Sequence, residues 1–376
     1  MKKVLIVTAV PETVNAFLTA YISELSKHYE VHVACTLNDQ HALKSLSGNV
    51  VTHNINIARQ PSIFEDLKSL FQLYRFFKHQ NFDSIHSFTP KAGLLSQAAA
   101  WLARCPNRLH TFTGQVWATK KGIARLGLKW LDKLTATLTT ICLADSHSQK
   151  DFIVAEKVVN PTKCHVLASG SISGVNIDKF KYSANAREQL RTEYGISEDN
   201  FIFLFVGRLK YDKGIPELIA AFEKLNFSQP AKLFIIGKDE DNLLPLVSNK
   251  SDVIFAGFKT NVPDFYSFAD VLVLPSHREG FGNVIIEAAA CNLPAIASNI
   301  YGLSDAVSHE YSGLLHQVKN ENALASCMQR LLDSPELLAT YKKQARQRVE
   351  EVFAEPILVN AFLTFYKAHL KEHSPK

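Results

Sequence analysis

At 376 residues the chain is too long for one ordinary hydrophobic core, and its length points to two domains of similar size. With 47% hydrophobic and 20% charged residues it is neither a disordered nor a fibrous chain. The net charge of +5 is unevenly spread: residues 1–181 carry 21 Lys and Arg against 12 Asp and Glu, and residues 182–376 carry 20 against 24. A basic front half suits an anionic partner; nucleic acid, anionic lipid headgroups and a diphosphate-bearing acceptor all fit.

In chain order, the first apolar run (4–10) follows Lys2 and Lys3 but is far too short to cross a bilayer. Pro11-Glu12 interrupts it and no small-residue cleavage site follows, so it reads as a buried first strand. Strands are expected at 4–9, 31–35, 84–87, 109–113, 141–144 and 164–167, with helices over 17–27, 63–79 and 122–137. The scheme then restarts with the continuous apolar run FIFLFV (201–206), followed by strands at 232–236, 253–256, 271–274 and 295–297 and a last helix over 356–370. Strands alternating with helices predict βαβ units and parallel sheets covered on both faces. The join is expected near 170–183, and ligands are expected beyond the carboxyl ends of the strands, in a cleft between the halves.

The six cysteines form no Cys-x-x-Cys pair and sit in or near apolar segments, as buried reduced thiols in a reducing compartment do.

Two motifs carry chemistry. The first, VGRLKYDKG (206–214), follows the strongest strand of the second half. Gly207 allows a sharp turn, while Arg208 and Lys213 place two cations at the strand's carboxyl end, one a planar fork for phosphate oxygens and one a compact charge. The second, PSHREGFGNVIIEA (275–288), has Gly280 and Gly282 in a tight loop that opens a helix near Asn283. A helix N-terminus there offers free N–H groups and the positive end of a dipole to a diphosphate. Glu279 precedes the helix; Glu287 lies inside it among Val284, Ile285, Ile286 and Ala288, where an unpartnered charge is costly, so it requires a partner such as ribose hydroxyls.

Glu279-x7-Glu287 resembles the EX7E signature of retaining GT-B glycosyltransferases of family 4. GR-x4-KG (207–214) resembles that family's phosphate loop, and GSISGVNIDKF (170–180) its interdomain segment. HSFTPKAG (86–93), HTFTGQVWATKKG (110–122) and ADSHSQKDF (144–152) are similar to the branch that builds bacterial capsule and lipid-linked surface glycans. The resemblance implies an α/β GT-B fold, two Rossmann-like domains with parallel sheets facing a central cleft. Residues 1–181 would be the acceptor side and 182–354 the donor domain, with a C-terminal helix over 355–374 packing back on the first. It implies a retaining transfer of a hexose or N-acetylhexosamine from a UDP-sugar to a lipid-linked glycan.

In that reading Arg208 and Lys213, beside Gly207, hold the donor diphosphate. Glu279 bonds the sugar hydroxyls, and Gly280, Phe281, Gly282, Asn283 and Val284 line the sugar and phosphates. Glu287 binds the ribose, and electrostatic stabilisation of the leaving group is the main catalytic term. No metal and no cofactor beyond the nucleotide sugar is implied. The partners implied are the donor, a polyprenyl-diphosphate-linked or other glycan acceptor, and an anionic membrane surface met by the basic half, with no nucleic acid. The location implied is cytoplasmic, peripheral on the inner face of the membrane. Candidates for the acceptor side are His86, Lys91, Thr113 and Gly114. Many relatives carry His where this chain has Thr113, and a Gly-Gly pair where it has AVPETV (9–14). Two rival readings stay open: a UDP-sugar epimerase or hydrolase of the same architecture, and a catalytically silent transferase-like subunit.

Asp239-Glu240-Asp241 has the D-x-D form but reads as a polar loop, and the pairs His28/His32 and His369/His373 lack a third metal ligand. Lys121, Arg125, Lys129 and Lys133 form a helical stripe opposite Ile123, Leu126, Trp130, Leu131 and Leu134. This helix either docks on an anionic membrane or covers the sheet with its apolar side. The aromatic-rich helix over 63–77 is expected to pack in the core.

Overall fold

A computed structural model describes residues 1–37, 43, 46, 48–57, 62–247 and 250–370. The chain divides into two units, residues 1–173 with the segment from Glu355 onward, and Gly174–Ala354. The division falls after Ser173, eight residues before the boundary expected at 181. Residues 174–181 group with the second unit because Val175 pairs with Ala354, its amide donating to the Phe353 carbonyl at 2.8 Å.

The first unit runs β1 (Lys3–Val7), α1 (Pro11–Thr13), α2 (Thr19–Leu25), β2 (Glu30–Cys35), β3 (Val50–Asn54), α3 (Ile63–Gln80), β4 (Ser84–Phe88), α4 (Pro90–Leu102), β5 (Asn107–Phe112), α5 (Gly122–Leu138), β6 (Ile141–Ala144), α6 (His147–Ala155) and β7 (Cys164–Val166). Its seven strands are all parallel in the order β3-β2-β1-β4-β5-β6-β7. The two-residue period of a strand builds the two sides of the sheet. Leu5 and Val7 point to Leu73 and Phe77 of α3 and Leu95 and Ala99 of α4. Val4 and Ile6 point to the opposite layer, where Leu18 and α2 supply Tyr21 and Ile22.

The second unit runs α7 (Ala184–Glu193), β8 (Phe201–Val206), α8 (Ile215–Glu223), β9 (Ala231–Ile236), α9 (Leu244–Val247), β10 (Val253–Gly257), α10 (Val262–Phe268), β11 (Val271–Leu274), α11 (Asn283–Ala290), β12 (Ala295–Ser298), α12 (Leu303–Ala306), β13 (Gly313–His316), α13 (Glu321–Leu332) and α14 (Pro335–Arg348). Its parallel strands lie in the order β10-β9-β8-β11-β12-β13. The chain then returns to the first unit as α15 (Glu355–His369), whose Leu358, Phe362 and Tyr366 complete the layer over Val4 and Ile6. Tyr21 stacks on Phe362 at 4.1 Å between ring centroids. Residues 371–374 of the expected helix, and with them His373, lie outside the described residues.

Some elements differ from expectation. β3 (VVTHN) is a half-exposed edge strand without apolar alternation, and β13 (GLLH) is short, so neither carries a strand signature. α4 packs against α3, α5 and the sheet, so it is buried almost all round and lacks an amphipathic stripe. The aromatic helix α3 sends Leu73 and Phe77 to the core but leaves Phe64 and Phe71 exposed, a correction to the expected core role. Of the two readings of α5, covering the sheet holds only in part: Thr135 and Ala136 are buried and Leu128 packs inward, while Ile123, Leu126 and Trp130 face solvent.

One buried carboxylate ties four elements of the second unit together. Asp270, just before β11, accepts from the Ile202 amide of β8 at 3.0 Å, from Arg191 and Arg187 of α7 at 3.4 and 3.3 Å, and from Lys342 of α14 at 3.4 Å. Arg191 is itself buried, so removing its counter-charge strands a guanidinium away from water. Asp270→Ala is expected to cost about 3–5 kcal/mol of the second unit's stability, read as an earlier denaturant midpoint. An unchanged midpoint would show that the carboxylate does not hold these elements.

Candidate active site

The strand order decides where the two motifs meet. β8 and β11 are neighbours at the point where the order of the second sheet reverses, which is where ligands of open parallel sheets bind. The loop after β8 carries Gly207, Arg208 and Lys213, and the loop after β11 carries Glu279 and leads into α11. Two backbone approaches fix these loops. Gly214 sits at φ +71°, and a Cβ on it would lie 2.2 Å from the carbonyl oxygen of Pro275. Gly302, after β12, sits at φ +82° with its missing Cβ 2.4 Å from the carbonyl oxygen of Gly280. No other residue fits either place without strain. The His277 amide donates to the Asp212 carbonyl at 2.9 Å and Arg278 donates to the Asp212 carboxylate at 3.0 Å, closing one loop onto the other.

Charge follows the same lines. Lys213 and Glu279 form an ion pair with side chains only 14% and 17% exposed. His277 Nε2 meets Glu217 of α8 at 2.9 Å. Arg208 is half exposed and donates to Glu240 at 3.1 Å; Lys210 pairs with Glu240 and Asp241. The D-x-D segment thus serves the phosphate-loop candidate: Asp239 accepts the amides of Asp241, Leu243 and Leu244, and Asp241 accepts the Tyr211 amide at 2.9 Å. Ser276 Oγ, Asp212 Oδ1, Glu217 Oε2 and Arg278 Nε are buried without a hydrogen-bond partner among the described residues. Four such atoms, three in the two loops and one on α8, mark a polar site held ready for other partners.

Gly282, Asn283 and Val284 stand at the start of α11, with Gly280 and Phe281 just before it, and the eight-residue helix presents its amide end beside Lys213 and Glu279. Glu287 lies one turn in, where Tyr266 donates to its Oε2 at 3.2 Å. Burial pushes the Glu287 carboxyl up to about 7, against the opposing effects of the Tyr266 hydrogen bond and the Lys179 charge. At the other end of α11, Cys291 and Asn292 line a cavity of about 780 Å³ with Tyr266, Arg187, Lys342 and Arg346. That cavity shares Tyr266 with Glu287 but includes none of Arg208, Lys213 and Glu279.

In the first unit the acceptor-side candidates part company. His86 is fully buried in β4, with Nδ1 at 2.7 Å from the Tyr366 hydroxyl and Nε2 at 2.8 Å from Thr111 Oγ1. Burial and the neighbouring His110 hold it well below its usual pKa, so it is a neutral core group and not the expected anion ligand. Lys91, in the first turn of α4, pairs with Asp66 at 2.7 Å. Thr113 is partly exposed and Gly114 buried, both just past the carboxyl end of β5. His110 points away from them, Nδ1 at 2.9 Å from Ser87 Oγ, and burial pushes it down to about 3. Residues that sequence reasoning passed over are Gly302, Asp212 and Glu217 in the second unit and Asp145 after β6, whose carboxyl burial pushes up to about 8. Only the position of Asp145 directly after a strand marks it in the sequence.

Comparisons with known proteins agree with this architecture. Residues 186–348 match the family model for glycosyl transferases group 1, and residues 3–150 match that for glycosyl transferase 4-like proteins. The capsular polysaccharide biosynthesis glycosyltransferase CapM of Staphylococcus aureus is 32% identical over 358 residues, 93% of each chain. The UDP-Gal:α-D-GlcNAc-diphosphoundecaprenol α-1,3-galactosyltransferase of Escherichia coli is 30% identical over 79% of this chain and 78% of its own. Anabaena HepE, solved in complex with UDP and glucose, superimposes with a TM-score of 0.80 at 18% identity, over 98% of this chain and all of its own. The chain belongs to the group 1, family 4-like glycosyltransferases and has their GT-B fold.

Proposed function

We propose that this glycosyltransferase moves a hexose or N-acetylhexosamine from a UDP-sugar to a polyprenyl-diphosphate-linked glycan in bacterial surface polysaccharide synthesis, with retention at the anomeric carbon. The observation that carries the donor half is the meeting of Lys213, Glu279 and the amide end of α11 where β8 and β11 adjoin, with Arg208 on the same loop as Lys213. Similarity to CapM and to the diphosphoundecaprenol galactosyltransferase supports the acceptor class. Gly207 lets the loop leave β8, Arg208 and Lys213 hold the diphosphate, and Gly280, Phe281, Gly282, Asn283 and Val284 line the phosphates and sugar. Two cations and a helix N-terminus supply the compensating charge, so a metal ion is not required of this site.

Lys213 has two tasks in this reading. Its ammonium faces the leaving diphosphate, and its ion pair orients the Glu279 carboxylate toward the sugar hydroxyls. As the bond to the anomeric carbon breaks, negative charge grows on the diphosphate, where fixed donors stabilise it most. Glu287 accepts from the ribose hydroxyls. On the acceptor side, Lys91, Thr113 and Gly114 are the residues proposed to meet the acceptor. No helix among the described residues is long and apolar enough to cross a membrane, and the reading places the chain peripherally on the cytoplasmic face, where a lipid-linked acceptor is reached.

Glu279→Ala and Lys213→Ala are each expected to lower kcat/KM by roughly 10²–10³ with the circular dichroism melt retained. Turnover close to wild type in both would sink the donor-site assignment.

A second expectation concerns pH. The Glu287 carboxyl, raised from an ordinary 4.5 to about 7, carries a proton below neutrality, and only above it do both oxygens act as acceptors, the stronger pairing for two ribose hydroxyls. Its contribution to the stability of the free protein is complete below its ordinary value and is lost as pH climbs through 7. UDP-glucose, whose diphosphate does not titrate in this window, should therefore bind more tightly at pH 8 than at pH 6. Glu287→Gln should flatten that profile; isothermal titration with equal slopes for both proteins would remove Glu287 from the ribose.

A further inference from the structure

Two helices of the first unit carry apolar stripes that nothing among the described residues of the unit covers. α3 presents Phe64, Leu67 and Phe71, and α5 presents Ile123, Leu126 and Trp130, each set at i, i+3 and i+7 on one helical face. Phe64 is 86% exposed, Ile123 89% and Trp130 61%. Apolar patches of this extent on a folded unit mark a docking surface. α4 packs against both α3 and α5, so the three helices lie side by side on one face of the sheet. Helices that connect parallel strands run back along them, so the N-terminal halves bearing these stripes share the edge where the strands end. That is the edge that carries Thr113 and Gly114.

Charge selects the occupant. Lys68 and Arg75 continue the α3 stripe, four residues beyond Phe64 and Phe71, and Lys133 continues that of α5 three residues beyond Trp130; all are exposed, as are Lys120 and Lys121 at the start of α5. The acids of the two helices are Glu65, exposed, Asp66, paired with Lys91, and Asp132, which accepts the Trp117 indole N–H at 2.7 Å. A second copy of this chain would bring the same cations face to face across a two-fold axis. An anionic bilayer instead offers apolar depth and negative headgroups together, with exposed aromatic rings suited to the boundary. Arg125 and Lys129 do not take part: both pair with Glu156, at 2.7 and 2.5 Å, and both lie over the Trp117 ring.

We propose that the α3 and α5 stripes form a membrane-inserting surface, anchored by apolar side chains and ringed by Lys68, Arg75, Lys120, Lys121 and Lys133. The identity of the occupant rests on the lipid-linked acceptor reading above; the existence of the surface does not.

The test is co-sedimentation of the full chain with phosphatidylcholine vesicles, with and without phosphatidylglycerol, at low and high salt. Wild type is expected to bind phosphatidylglycerol vesicles and to keep part of that binding in high salt. The double variant Phe64→Ser, Ile123→Ser should lose roughly tenfold or more at both salts. Lys121→Glu with Lys133→Glu should weaken binding at low salt only. Wild-type-like partitioning of the serine variant, no vesicle binding by wild type, or a wild-type dimer that the serine variant abolishes would each overturn the proposal. The thermal shift with UDP-glucose, measured on the same proteins, reports the fold and the donor site separately. Vesicle binding without that shift supports the surface and fails the donor reading; the shift without vesicle binding fails the surface alone.

Discussion

The carbonyl oxygens of Pro275 and Gly280 lie so close to Gly214 and Gly302 that neither glycine has room for a single additional carbon. The loop from Pro275 to Gly282 is therefore gripped at both ends by backbone, not by side chains whose rotamers can change. Everything assigned to the donor half follows from that grip. Lys213 is the residue before one of the gripping glycines and Glu279 the residue before one of the gripped carbonyls, so their ion pair is set by main-chain contacts. α11 then starts three residues beyond Gly280, with its amide end aimed by the same loop.

The cations of this site are already answered by acids of the same unit: Arg208 and Lys210 by Glu240, Arg278 by Asp212, Lys213 by Glu279. The exposed pairs are weak, and in the proposed donor site they would give way to a diphosphate, which is a stronger acceptor. The less exposed Lys213–Glu279 pair is different in kind, because in the proposed donor site both partners are assigned tasks at the ligand. Such a site is ordered before its ligand arrives and loses little entropy when it binds.

How much of this was legible in the sequence depends on the range of the signal. Strand, turn and helix start are local, so Gly207 to Gly214 and Glu279 to Glu287 could be placed at strand ends from their own neighbourhoods. That β8 and β11 adjoin is not local, since β9 and β10 intervene in the chain and pair on the other side of β8. His86 was misread for a related reason. It ends a run that reads as a strand, but whether a strand residue faces water depends on what lies above it, and Tyr366, 280 residues away, lies there. α3 and α5 show the same limit in reverse. Helical spacing reveals an apolar stripe but not whether anything covers it, and the structure leaves Phe64, Ile123 and Trp130 uncovered. The D-x-D segment, read as a polar loop, orders the phosphate-loop candidate through contacts between Asp241 and Tyr211 and between Glu240 and Arg208.

The return of α15 to the first unit sets an order of events during synthesis on the ribosome. Val4, Ile6, Tyr21 and His86 are translated early, yet the layer that shields them needs Leu358, Phe362 and Tyr366. The whole of Gly174–Ala354 emerges in between. The second unit has all its own strands in hand while the first still lacks the α15 part of the layer that Leu18 and α2 begin over Val4 and Ile6. The half of the molecule made first is thus the half that closes last, and its nascent sheet must stay out of trouble for the time it takes to translate the other.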